Sequence, residues 1–204
     1  MSFIRSVARA VLPQAVRREI HHRVHAVVLR RLADRAFLEG SIVPWLDDRG
    51  IRTLLSIGVR AYTAHYPDLL ARRGITMWTS DIDPEAARWA SADRHVVADV
   101  CALSPRDFPL RFDAVLYNGV VGWGVDAPEA VVASFRALHS LVAPGALMVF
   151  GWNDDRSADP LGLDGIADLW EPIDGPHGAT RRRFDDVTHV YDFLRARPLS
   201  AADH

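Results

Sequence analysis

The chain has 204 residues, 49% of them hydrophobic, and a formal net charge of -2, enough for one domain with a sizeable core and no argument for a nucleic-acid partner. All 24 Lys+Arg residues are Arg, so an Arg cluster here is weaker evidence of phosphate recognition than usual. A single cysteine, Cys101, excludes an internal disulfide framework and a Cys-based zinc cage, no apolar run approaches the ~20 residues that span a bilayer, and the lack of a signal peptide leads us to expect a cytoplasmic protein.

Residues 1–39 form a polar, Arg-rich segment with apolar residues at helical spacing, Val24, Val27, Val28, Leu32 and Ala36 lying on one side. Pro13 splits it into two helices. The segment carries eight Arg against Glu19, Asp34 and Glu39. Such a helix can lie on an acidic membrane, cap a substrate site or pack on the domain; capping or packing is the preferred expectation, with 1–39 as a helical lid and 40–204 as the main domain. His22 and His25 could share a helical face, but no further ligand is indicated, so no metal site is expected.

Strand and helix signals then alternate. Thr53–Ile57 is a short apolar run ending at Gly58, and residues 66–73 read as a helix closed by Gly74. A second strand, residues 76–80, ends at Asp81. Asp83-Pro84-Glu85 opens a second helix, with Asp as N-cap and Pro at the first helical position. Residues 95–98 form a third strand, with Cys101 beyond it in a strand-like context that reads as buried and inert. Residues 112–117 form a fourth strand, 128–141 a helix, and 146–150 a fifth strand. This alternation implies right-handed crossovers and a mostly parallel sheet. In the tail, residues 180–184 and 189–195 read as two strands joined at Asp185-Asp186, which pair antiparallel. Arg181–Arg183 fall on alternate faces of the first and read as a solvated edge.

Five sites in order, from about Ile51 to Arg197, carry a resemblance to the class I S-adenosylmethionine-dependent methyltransferases. The first is LLSIGVRAYT. Gly58 matches the first glycine of the family's cofactor loop, where backbone N–H groups approach the ligand. Ser56 stands where an acidic residue usually helps hold the charged amino end of the cofactor, and Arg60 and Tyr62 replace later glycines. The second is WTSDIDPEAA. Asp81 matches the carboxylate that accepts both ribose hydroxyl protons, and Ile82 would pack on the adenine; capping the next helix is the alternative role for Asp81. The third is HVVADVCAL, where Asp99 and the backbone of Val100 would meet the adenine edge, unless Asp99 is only a turn residue.

The fourth is FDAVLYNGVVGWG. Asn118 lies at a strand's carboxyl end, where ligands of open α/β sheets bind, and Trp123 forms a pocket wall or fills a core gap. The fifth is LVAPGALMVFGWNDD, where Pro144-Gly145 turns into the fifth strand and Trp152, Asn153 and Asp154 follow it.

The resemblance implies a Rossmann-like fold with a C-terminal antiparallel hairpin, S-adenosyl-L-methionine as cofactor, and methyl transfer to a small or mid-sized acceptor. The protein's work is then to position donor and acceptor. Asp154, His177 and, less directly, His65 are the candidate general bases. Trp123, Trp152 and Asn153 are expected to contact the acceptor, and the loops after the fourth and fifth strands should converge with the segment around His177 on one cavity beside Gly58 and Asp81. The different-class alternative is a catalytically silent domain that binds a ligand or partner, supported by Ser56, Arg60 and Tyr62. The sequence lacks a P-loop, a G-x-S-x-G elbow and the basic–aromatic pattern of an RNA reader.

Overall fold

The computed structural model describes residues 32–91 and 93–198. The expected N-terminal elements before Leu32, with Pro13 and the histidines at 21, 22 and 25, lie outside the described residues.

The first described helix, α1 (33–48), is α-helical at Ala33–Phe37 and Val43–Asp48, with a π turn at Leu38–Ile42 between. It buries Asp34, Leu38 and Ile42, whereas Ala36, expected on the apolar side, is exposed. Strand β1 (Thr53–Ile57) and helix α2 (Tyr66–Ala71) follow, then β2 (Thr76–Asp81) and β3 (His95–Val97). The expected helix between β2 and β3 is a 3₁₀ segment, Pro84–Trp89. Its start is as anticipated: Asp83 accepts a hydrogen bond from the Glu85 N–H at 2.9 Å. Only residues 82–94 make this crossover, so a tight segment replaces a full α-helix. Strand β4 (Phe112–Asn118), helix α3 (Pro128–Ser140) and β5 (Val142–Asn153) complete the parallel part.

The order β3-β2-β1-β4-β5 is parallel throughout, and β8 (His189–Ala196) adds antiparallel to β5. Two short strands share its outer edge, β6 (Trp170–Pro172), which follows the one-turn helix α4 (Ile166–Leu169), and β7 (Arg181–Arg183). The β7–β8 hairpin is the one read from sequence; β6 is additional. The expected solvated Arg edge is exposed at Arg182 and Arg183 and half-buried at Arg181, and it is also largely paired. Arg181 bridges Asp159 and Asp192, Arg183 pairs with Asp154, and Arg182 lies over Phe37 at 5.5 Å.

Strand alternation divides the core into two layers. Leu55, Ile57, Val115, Tyr117, Met148, Phe150 and Trp152 face α3. Leu54, Leu116, Val149, Tyr191 and Phe193 face α1 and α2. Burying Leu38, Ile42 and Leu46 of α1 on that second face contributes roughly 1.5–3 kcal/mol each. The Asp113 carboxylate accepts from the Arg52 and Thr53 N–H groups and the Thr53 hydroxyl at 2.9–3.0 Å, fastening β1 to β4. Among the described residues, no helix is long and apolar enough to cross a membrane.

Candidate functional site

Two adjoining cavities open beyond the carboxyl ends of the parallel strands. They meet at Gly58, Arg60, Gly119 and Trp123. Gly58 has φ +85°, and a Cβ there would lie 3.1 Å from Val120 Cγ2 and 3.3 Å from the Asn118 carbonyl. Glycine thus lets the β1 loop run close to the β4 loop between the cavities.

The smaller cavity, about 230 Å³, lies beside β2 and β3. Asp81, Ile82, Asp99, Val100 and Trp123 line it. Asp81 is buried, and its carboxylate is already well occupied: Oδ2 accepts from the Val59 N–H and from Arg60, both at 2.7 Å, and Oδ1 from the Asp83 N–H at 2.9 Å. Ile82 is 69% exposed, an apolar surface facing a slot. Asp99 caps the 3₁₀ turn Val100–Ala102 through Oδ1. Cys101 sits in that turn rather than in a strand, half-buried on the slot wall, and burial raises its thiol pKa. Trp123 stands 56% exposed between the cavities, with the Arg156 guanidinium 4.2 Å from its ring centre.

The larger cavity, about 590 Å³, lies on the α1 side of the sheet. Ser56, Leu116, Asn118, Asn153 and His189 line it, all at strand positions whose parity faces α1. Helix α1 contributes Asp34 and Arg35; Tyr62, Tyr66 and Thr188 complete its polar and aromatic wall. Leu32, Asp34 and Arg35, at the start of the described residues, thus wall this cavity.

The sequence did not single out His189 or Arg35, which dominate the site's electrostatics. His189 is 3% exposed. Its Nδ1 lies 3.4 Å from Asn153 Oδ1, while Asn153 Nδ2 donates to Thr188 Oγ1 at 2.9 Å. That amide orientation assigns the proton to Nδ1 and leaves the Nε2 lone pair unpartnered. Burial, reinforced by the Arg35 charge, lowers the His189 pKa to about 3, so the ring is neutral. Asn118 Oδ1 is also buried and unpartnered. Gly151 makes room for both, since a Cβ there would lie 2.2 Å from Asn118 Oδ1 and 2.8 Å from His189 Nε2.

Several expected residues are elsewhere. Trp152 is buried on the α3 side, its Nε1–H donating to Asp192 at 2.8 Å; strand parity turns it away from the cavity. Asp154 is exposed and paired with Arg183, outside both cavities. His177 packs its ring on Phe37 and meets the Ser41 hydroxyl at 3.3 Å, and His65 meets Glu39 at 2.8 Å; neither lines either of the two cavities. The expected convergence thus holds for Asn118, Trp123 and Asn153 and fails for Trp152, Asp154 and His177. Among the described residues, no group of His, Cys, Asp and Glu is arranged to hold a metal ion.

No protein-family model matches the sequence, and no curated protein matches it. Solved structures do. The TehB-like SAM-dependent methyltransferase from Corynebacterium glutamicum is 17% identical at a TM-score of 0.60, over 88% of this chain and 100% of that one. The N-methyltransferase NodS from Bradyrhizobium japonicum in complex with S-adenosyl-L-homocysteine is 13% identical at 0.57, over 84% and 96%. The 1,6-didemethyltoxoflavin-N1-methyltransferase from Burkholderia thailandensis, with 1,6-didemethyltoxoflavin and S-adenosylhomocysteine bound, is 17% identical at 0.55, over 87% and 91%. The strand order, the antiparallel β8 and these likenesses agree: the chain has the fold of the class I S-adenosylmethionine-dependent methyltransferases.

Proposed function

We propose that this protein transfers a methyl group from S-adenosyl-L-methionine to a small-molecule acceptor. The observation that carries the reading is the pair of cavities meeting at Gly58. The smaller is a largely apolar slot lined by both Asp81 and Asp99, the chemistry that a ribose and an adenine amino group require. The larger joins it at the glycine loop and has the size and mixed lining of a small-molecule pocket. The residues present therefore fit the cofactor. Two structural neighbours bear S-adenosylhomocysteine, and one of them acts on a small heterocycle.

When bound, the cofactor supplies an electrophilic methyl group on a sulfonium. The chain's residues do the rest. In this reading Asp81 holds the ribose, Ile82 packs on the base, the backbone of Val100 meets its edge, and Asp99 takes its amino group through the carboxylate oxygen that does not cap the turn. Ser56, Gly58, Tyr62 and Asn118 line the passage to the second cavity. There the acceptor lies against Tyr62, Trp123 and Asn153. His189, rather than Asp154 or His177, is the group suited to accept a hydrogen bond from an acceptor N–H or O–H and so orient it, because its Nε2 lone pair is unpartnered and the ring is neutral; with its pKa lowered to about 3 it positions the acceptor rather than taking its proton. Alignment of donor and acceptor supplies most of the rate.

Calorimetric titration with S-adenosylmethionine and S-adenosylhomocysteine tests this directly. Binding of both, at about 1 µM–1 mM, is expected. Absence of binding to either at millimolar concentration overturns the reading and leaves a methyltransferase-shaped binding module.

A further inference from the structure

Asp34 is 3% exposed at the cavity wall, and its Oδ1 accepts no hydrogen bond. An orphaned buried carboxylate oxygen is costly unless a ligand partners it. Its neighbour Arg35 lines the same cavity: the guanidinium lies 4.8 Å from the Tyr62 ring centre, and Nε is 3.4 Å from Asp34 Oδ2. The two residues thus bring a carboxylate and a guanidinium to the wall of one space. That pairing is complementary to an α-amino-acid zwitterion, an ammonium and a carboxylate on one carbon.

Their place in the fold adds to this. Leu38 and Ile42 of α1 pack over Leu54 and Leu116, so Asp34, one turn before Leu38, lies toward the carboxyl ends of β1 and β4. Ser56 is the next α1-facing residue of β1 in that direction, and it carries no charge. Burial raises the Asp34 pKa, and the Arg35 charge beside it works against that rise.

We propose that Asp34 and Arg35 together bind the amino-acid end of the methyl donor, Asp34 Oδ1 accepting from its ammonium and Arg35 donating to its carboxylate. The assignment rests on the cofactor reading above and supplies from α1 the charge that Ser56 cannot. The two halves of the ligand are then held by different parts of the chain, the nucleoside by strand-end loops and the zwitterion by a helix.

Two ligands separate these halves. S-adenosylhomocysteine carries the zwitterion; 5′-methylthioadenosine has the same nucleoside and thioether without it. Calorimetry on wild type, Asp34→Asn and the double variant Asp34→Asn/Ser56→Asp decides the matter, with thermal melting as the check on folding. Asp34→Asn should weaken S-adenosylhomocysteine at least tenfold and change 5′-methylthioadenosine less than twofold. Ser56→Asp in that background, returning a carboxylate from the β1 side, should recover most of the lost affinity. Unchanged S-adenosylhomocysteine binding by Asp34→Asn, or an equal loss for both ligands, overturns the assignment while leaving the cofactor reading intact. A wild-type protein that binds neither ligand overturns both.

Discussion

The two cavities share Gly58 and Gly119 yet are built in different ways. The smaller takes most of its lining from contiguous stretches at strand ends: Asp81-Ile82 after β2, residues 98–101 after β3, and 119–120 with 123–125 after β4. The larger is assembled from side chains far apart in sequence: Asp34 and Arg35 on α1, Ser56 on β1, Asn118 on β4, Asn153 on β5 and His189 on β8. A nucleoside site of the first kind needs only strand polarity and the loops that follow. A site of the second kind needs the parity of every strand and the docking of a helix. It can therefore vary from protein to protein while the fold stays the same, as expected of the part that chooses the acceptor.

The largest expected effect is on the second cavity alone. His189→Gln should lower methyl transfer by about 10²-fold, the cost of a misplaced reacting group, while S-adenosylhomocysteine binds as before. Steady-state kinetics and calorimetry read the two halves; equal loss in both would make His189 a structural residue. The same variant reports on stability. The folded ring stays neutral down to about pH 3, whereas an unfolded histidine takes up a proton near 6.5. The unfolded state then binds more protons in that window, so the contribution is fully present above pH 6.5 and is lost as pH falls toward 3, by up to about 5 kcal/mol. Asp34 and Asp192, whose carboxyl pKa values burial raises, tilt the opposite way. The informative quantity is thus the wild-type minus variant difference in unfolding free energy between pH 7 and pH 4, which should be positive at pH 7 relative to pH 4.

Next comes the smaller cavity. Asp81→Ala should weaken S-adenosylhomocysteine and 5′-methylthioadenosine alike, by about 1.5–3 kcal/mol, since it removes a charged hydrogen-bond acceptor under the part they share. Equal losses distinguish this site from the amino-acid end, where only the first ligand should respond. If Asp81→Ala binds both as wild type does, Asp81 serves only the Val59 and Asp83 N–H groups and the Arg60 guanidinium, from which it already accepts.

The difference in construction also decides what could be read from the sequence. The strand-end carboxylates Asp81 and Asp99, the turn at Gly58 and the alternation that makes the sheet mostly parallel follow from local patterns, and all are legible. The acceptor side was misread for two physical reasons. Trp152 and Asp154 follow from strand polarity and His177 from a turn-rich stretch, but neither loop emergence nor turn composition fixes the direction of a side chain. Counting parity along β5 from the buried residues turns Asn153 toward α1 and Trp152 away from it. The second reason is pairing. His189 lies opposite Asn153 only through the antiparallel register of β5 and β8, where local pattern shows a hairpin start and nothing more. Asp34 and Arg35 were visible as charges on a basic segment. Their burial depends on α1 docking across the sheet, which helical spacing alone does not specify.

The smallest expected effect concerns a contact that belongs to neither cavity alone. Arg60, at their junction, donates to Asp81 Oδ2 at 2.7 Å and to the Val59 carbonyl at 2.7 Å. A carboxylate offers about four acceptor positions, and three at Asp81 are taken by Val59, Asp83 and Arg60. A ribose that uses both hydroxyls must displace one donor. The two backbone N–H groups are fixed by the loop, so Arg60 is the one to yield. Its side chain is 50% exposed, so the ion pair is worth at most about 1 kcal/mol and is weakened by salt. Arg60→Ala should then bind S-adenosylhomocysteine up to about fivefold more tightly. Raising the salt concentration should narrow that gap, because it loosens the pair in wild type and has no pair to loosen in the variant. Weaker binding by Arg60→Ala would mean that Arg60 touches the ligand itself, and the competition for Asp81 would have to be abandoned.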